Sequence, residues 1–63
     1  MPKTDLTVKL IGEDGNAFSI MGAVRGALER GGHHDLASQY IEEATMGDYD
    51  HLLRVTMEYV NVE

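Results

Sequence analysis

The apolar residues of this chain change period early, and the change falls on a short stretch rich in glycine. Before it, Leu6, Val8 and Leu10 alternate with Thr7 and Lys9 as far as Ile11. A period of two predicts a strand with one face buried and the other in water. Gly12-Glu13-Asp14-Gly15-Asn16 then gathers turn-forming residues, which end the strand near Ile11. After it, Ala17, Ile20, Met21, Val24, Ala27 and Leu28 recur at steps of three and four, one face of a helix. A chain that opens with a half-buried strand and continues in helical period belongs to the mixed classes.

The helix boundaries carry their own signals. Asn16 stands where an N-cap belongs, with Ser19 as a competing start. Gly31-Gly32 after Arg30 is a stop, because glycine takes the left-handed position past a helix end without a Cβ clash. Gly22 and Gly26 inside this helix each cost up to about 1 kcal/mol against alanine. They are either tolerated or mark the close approach of another backbone. A second helix is predicted from Leu36 to about Thr45, with His34 or Asp35 before it and Leu36, Ala37, Tyr40, Ile41 and Ala44 facing inward. Gly47 interrupts it and Asp48 caps a third helix. There Tyr49, Leu52, Leu53, Thr56, Met57 and Val60 repeat at helical spacing, and Asp50 sits in the first turn, favourable to the helix dipole.

Val60-Asn61-Val62-Glu63 reads as a last helical turn or a short strand, and its alternation favours the strand. Residues 6–11 need a pairing partner in any case, since a lone strand leaves both edges open. Either this C-terminal segment or another copy of the chain supplies it. The expected fold is α+β over a single domain, residues 1–63: a short N-terminal strand, three helices, and a short C-terminal strand pairing with the first.

Composition limits what such a domain does. A chain of 63 residues buries only about 60% of its unfolded surface, so its stability is marginal. Cysteine is absent, which removes disulfides and thiolate metal sites as remedies. Self-association, as a homodimer, would bury more apolar area. Residues 1–32 carry four basic and four acidic side chains, so the whole net charge of −6 lies in residues 33–63, where Arg54 faces seven acids. A phosphate backbone is bound by Lys and Arg, so no nucleic-acid partner is expected. No apolar run approaches the roughly 20 residues of a membrane span, and Met1-Pro2-Lys3-Thr4-Asp5 lacks the apolar stretch of a signal peptide. The expectation is a cytoplasmic protein without membrane contact.

Each candidate constellation falls short of a catalytic or cofactor site. The turn at residues 12–16 has the outline of a phosphate loop, but Glu13 and Asp14 repel phosphate and no Lys-Ser/Thr pair follows. As a cation loop, Glu13, Asp14 and Asn16 supply too few oxygen ligands. His33, His34 and His51 fail as a metal set, because adjacent histidines diverge and His51 begins a different helix. Glu42, Glu43, Asp48 and Asp50 take exposed-face or cap positions rather than the contrasting environments an acid/base pair needs. No enzyme, metal or cofactor is therefore expected. Phe18, Tyr40 and Tyr49 read as core, whereas Leu52, Val55 and Tyr59 form a second apolar edge on the third helix. Exposed, that edge would mark a protein contact.

Two phrases, Gly12-Glu13-Asp14-Gly15-Asn16-Ala17-Phe18 and Glu43-Ala44-Thr45-Met46-Gly47-Asp48-Tyr49-Asp50-His51-Leu52-Leu53, resemble those of a family of short uncharacterised proteins of bacteria, phages and mobile elements. The resemblance spans residues 8–62 and implies a small standalone protein, with no catalytic residue to carry over. The expected function is a non-enzymatic interaction or accessory protein, contacting a protein partner or a second copy through Leu52, Val55 and Tyr59 or through a groove at Gly22 and Gly26. The alternative is an acidic decoy, in which Glu42, Glu43, Asp48, Asp50 and Glu58 form one face that imitates a nucleic acid and occupies the basic site of its binding protein.

Overall fold

The computed structural model describes residues 2–10 and 15–63. The elements follow in the order β1 (Thr7–Val8), α1 (Ala17–Arg30), α2 (His34–Ala44), α3 (Tyr49–Tyr59) and β2 (Asn61–Val62). This is the expected α+β arrangement, with the first and last strands paired. The strand end at Ile11 and the turn at Gly12, Glu13 and Asp14 lie outside the described residues.

Helix α1 starts where Asn16 accepts a hydrogen bond from the Phe18 amide at 2.7 Å. It stops in a Schellman turn: the Gly32 amide donates to the Glu29 carbonyl at 3.1 Å and the His33 amide to the Leu28 carbonyl at 2.8 Å. Gly32 holds φ +83°, the left-handed conformation this turn requires. The turn leaves no spacer, so α2 begins at His34, two residues before the expected start. His33 occupies the cap position without a side-chain hydrogen bond, and both His34 and Asp35 lie inside the helix. Asp48 caps α3 by accepting from the His51 amide at 2.9 Å.

The two strands run parallel, with Thr7 opposite Asn61 and Val8 opposite Val62. Parallel strands require a long crossover, and the three helices together provide it. Before β1, the N-terminal segment closes over the end of α3. The Lys3 amide donates to the Glu58 carbonyl, and the Thr4 amide and hydroxyl both donate to the Tyr59 carbonyl, at 2.8, 3.2 and 2.7 Å. Two of the carbonyls left without helical partners at the end of α3 are thereby satisfied.

Helix α2 packs against both α1 and α3. One core runs through β1 and the three helices and ends just before β2: Val8, Ile20, Val24, Leu28, Ala37, Tyr40, Ala44, Leu52, Val55, Tyr59 and Val60. The Tyr40 and Tyr59 rings meet edge to face, 5.4 Å between centroids. Thr56 spends its hydroxyl proton on the Leu52 carbonyl at 2.9 Å, so at 2.7 Å the Tyr40 hydroxyl is the donor to Thr56. Burial alone moves the Tyr40 phenol above its ordinary pKa, an effect the Thr56 contact only moderates.

Candidate functional site

The second apolar edge read on α3 is part of the core. Leu52, Val55 and Tyr59 are all buried, Tyr59 completely, and none of them is available as a contact face. Helix α3 is rotated relative to the expected stripe: Leu52 and Thr56 face inward as anticipated, but Val55 and Tyr59 accompany them, while Met57 is 57% exposed. The physical cause is the Tyr40–Tyr59 ring pair, an edge-to-face contact worth about 0.5–1.5 kcal/mol beyond the area it buries. Nor do the glycines of α1 mark a close backbone approach. A Cβ on Gly22 would meet nothing within 4 Å, and one on Gly26 would meet only the end of the Arg30 side chain, at 3.0 Å.

Two aromatic residues expected in the core are instead exposed. Phe18 is 81% exposed and Tyr49 45%. Phe18 precedes buried Ile20 by two residues, about 200° around the helix, so the period of α1 itself turns it away from the core. That signal was present in the sequence. Met46, also 81% exposed, lies in the turn between α2 and α3, where no period applies.

Phe18 and Tyr49 come together at one end of the molecule because two caps place them there, and Met46 lies between Thr45 and Gly47 at the same groove's margin. Asn16 fixes the first turn of α1 and Asp48 the first turn of α3. The Tyr49 hydroxyl then joins the two starts by donating to the Gly15 carbonyl at 2.8 Å. Between them lies a groove of about 270 Å³, whose apolar wall is Ala17, Phe18, Met21, Ala44 and Leu52. Phe18 and Met21 also border a second depression of similar size between α1 and α2, where the open flank of Gly22 meets Ile41 and Arg25. Phe18 is thus a ridge between two apolar hollows. The wall behind it is held by His51, whose Nε2 lies 2.8 Å from the Glu43 carbonyl. This contact leaves no room beside Gly47, where a Cβ would come within 2.6 Å of the His51 ring.

The acidic residues do not share a face. Glu42 borders a shallow depression with Arg25 and Ser38, on the α1 side of α2. Glu43 faces α3: its carboxylate accepts from Gln39 at 3.4 Å and stands near the Tyr59 hydroxyl. Asp48 is engaged as a cap, and Asp50 and Glu58 lie at opposite ends of α3, roughly 12 Å apart along its axis. His33 and His34 begin α2 while His51 reaches its far end, so the three histidines are separated by the length of that helix. Among the described residues no three His, Asp or Glu side chains are placed to hold a metal ion. The phosphate and cation readings rested on Glu13 and Asp14, outside the described residues. No helix of the described residues is long and apolar enough to cross a membrane.

Among the described residues one buried side-chain polar atom makes no hydrogen bond, the Tyr59 hydroxyl, although Glu43 and Gln39 stand near it. Burial, followed by the neighbouring Glu43 carboxylate, pushes its pKa up to about 12. It is enclosed by the core and reaches neither hollow. Comparison of the chain with family models, with curated proteins and with solved structures finds no match.

Proposed function

We propose that the protein is a small non-enzymatic interaction module that docks a partner protein at the end of the molecule built around Phe18. The observation that carries this reading is the pair of large apolar side chains, Phe18 and Met46, each 81% exposed in a chain with a limited supply of core residues. Fully burying such a side chain contributes about 1.5–3 kcal/mol. Neither takes part in the core, so this apolar area is available to a partner. Phe18 supplies a rigid anchor. Met21 and Met46 add flexible thioether surface that adapts to the shape it meets.

The hollows on either side of Phe18 are mainly apolar, and of the polar groups at their margins Asp48 is engaged as a helix cap, the Tyr49 hydroxyl donates to the Gly15 carbonyl and the Thr45 hydroxyl to the Ile41 carbonyl, which favours binding over chemistry. The lack of cysteine accords with a cytoplasmic setting, and the two quoted phrases with an accessory protein of bacterial or phage origin.

The test is a double variant, Phe18→Ser with Met46→Ser, used beside the unaltered chain to capture partners from a bacterial lysate. Both positions are exposed, so thermal stability is expected to stay within about 0.5 kcal/mol. A partner held by this surface is lost from the variant. A partner retained by it at full strength removes the proposal.

A further inference from the structure

Strand β1 has two edges, and β2 occupies one of them. Toward β2 it presents the Leu6 and Val8 carbonyls, which accept from the Asn61 and Glu63 amides at 2.8 and 2.9 Å, and the Leu10 amide, which donates to the Glu63 carbonyl at 2.8 Å. Backbone groups alternate in direction along a strand, so those of Thr7 and Lys9 point to the opposite edge. Among the described residues nothing bonds to them there. The side chains of Asp5, Thr7 and Lys9 are exposed and, two residues apart, share the face turned away from the core. An open edge of this kind is a template for another strand.

We infer that a second copy of the chain closes this edge. The two β1 strands pair antiparallel about a twofold axis through Thr7, giving a four-stranded sheet in the order β2–β1–β1–β2. In this register Thr7 exchanges both backbone hydrogen bonds with Thr7 of the second copy, and the next hydrogen-bonded pair in each direction sets Asp5 opposite the second copy's Lys9. These are the same outward-pointing positions that β2 leaves free.

Charge complementarity identifies the occupant. Reversal about Thr7 places acid opposite base twice and threonine opposite threonine, each a favourable cross-strand pair. A parallel, in-register pairing would set Asp5 against Asp5 and Lys9 against Lys9. On the opposite face, Leu6 comes opposite Val8 of the second copy, an apolar cross-strand pair. The polar face stays in water, as antiparallel sheets permit. A two-stranded sheet is marginal alone, and association doubles it. The groove beside Phe18 plays no part in this contact.

The experiment is sedimentation velocity from micromolar to millimolar concentration, with circular dichroism to establish that each variant is folded. The unaltered chain is expected to form a dimer. Asp5→Lys and Lys9→Asp, each alone, weaken it about tenfold or more, because two attractive pairs become repulsive. The double variant D5K/K9D restores it, and mixing D5K chains with K9D chains gives a heterodimer, an all-basic strand against an all-acidic one. Thr7→Pro removes an amide that β2 does not use and yields a monomer. If that variant fails to fold, the charge series still decides. A wild-type monomer at millimolar concentration overturns the inference, as does a dimer indifferent to the charge swaps or a mixture that forms no heterodimer. Phe18→Ser with Met46→Ser leaves the dimer intact, so loss of the partner surface and loss of the dimer are read separately.

Discussion

Gly47 and His51 show how closely a single side chain is specified at the partner-binding end. The glycine is required by space: its φ is not left-handed, but the His51 ring occupies the position a Cβ would need. Gly47→Ala therefore displaces the ring from the Glu43 carbonyl and is expected to cost about 1–3 kcal/mol, the usual range for overpacking. Chemical denaturation measures it, and a loss below about 0.5 kcal/mol would show that the turn yields freely. Gly22→Ala is the control. It meets nothing within 4 Å and replaces a poor helix former by the best one, so it stabilises by up to about 1 kcal/mol. In the sequence both glycines looked alike, as interruptions of a helical pattern. Only the neighbours distinguish them.

At the scale of elements, the three helices start in two different ways. Asn16 and Asp48 each accept from an amide of the first turn, at 2.7 and 2.9 Å, whereas His33 makes no side-chain cap. Asn16→Ala and Asp48→Ala are each expected to cost about 1 kcal/mol, or about 4–8 °C in Tm for a domain of this size. His33→Ala should stay within about 0.5 kcal/mol. A thermal melt of the three variants separates them, and equal losses would contradict the assignment. These two caps were legible in the sequence because a cap is a local event between residues two or three apart. The start of α2 was not, because the Schellman turn that ends α1 also sets where the next helix begins.

For the whole molecule, the decisive event is the meeting of Tyr40 with Tyr59, which fixes the rotation of α3 and commits Val55 to the core. It also leaves a mark on alkaline stability. The Tyr59 phenol titrates near pH 12 in the folded chain, against about 10 when unfolded. Above pH 10 the folded state therefore keeps a proton that the unfolded chain releases, and opposing its loss favours the unfolded form. Stability is fully present below pH 10 and falls as pH rises toward 12. Unfolding measured across this range is expected to show the decline, and Tyr59→Phe to reduce it. The slope does not vanish in that variant, because Tyr40 is raised in the same direction. At neutral pH Tyr59→Phe should be neutral or stabilising, since it deletes a buried hydroxyl that makes no hydrogen bond among the described residues.

The sequence by itself determined the class and order of the elements, the caps at Asn16 and Asp48, the stop at Gly31-Gly32, and the pairing of the chain's two ends. All of these follow from period, from residues a few positions apart, or from the need of a strand for a neighbour. Only the tertiary structure decided which side of α3 faces inward, because Leu52 and Thr56 belong to both possible stripes and the choice rests on the Tyr40 ring, nineteen residues before Tyr59. It likewise decided that the apolar edge at Val55 and Tyr59 is core, that Phe18 and Met46 remain in water, and that the five carboxylates are divided among different surfaces. Local chemistry sets where a helix begins and ends. Its rotation, and with it the identity of every exposed residue, is set by the partners it packs against.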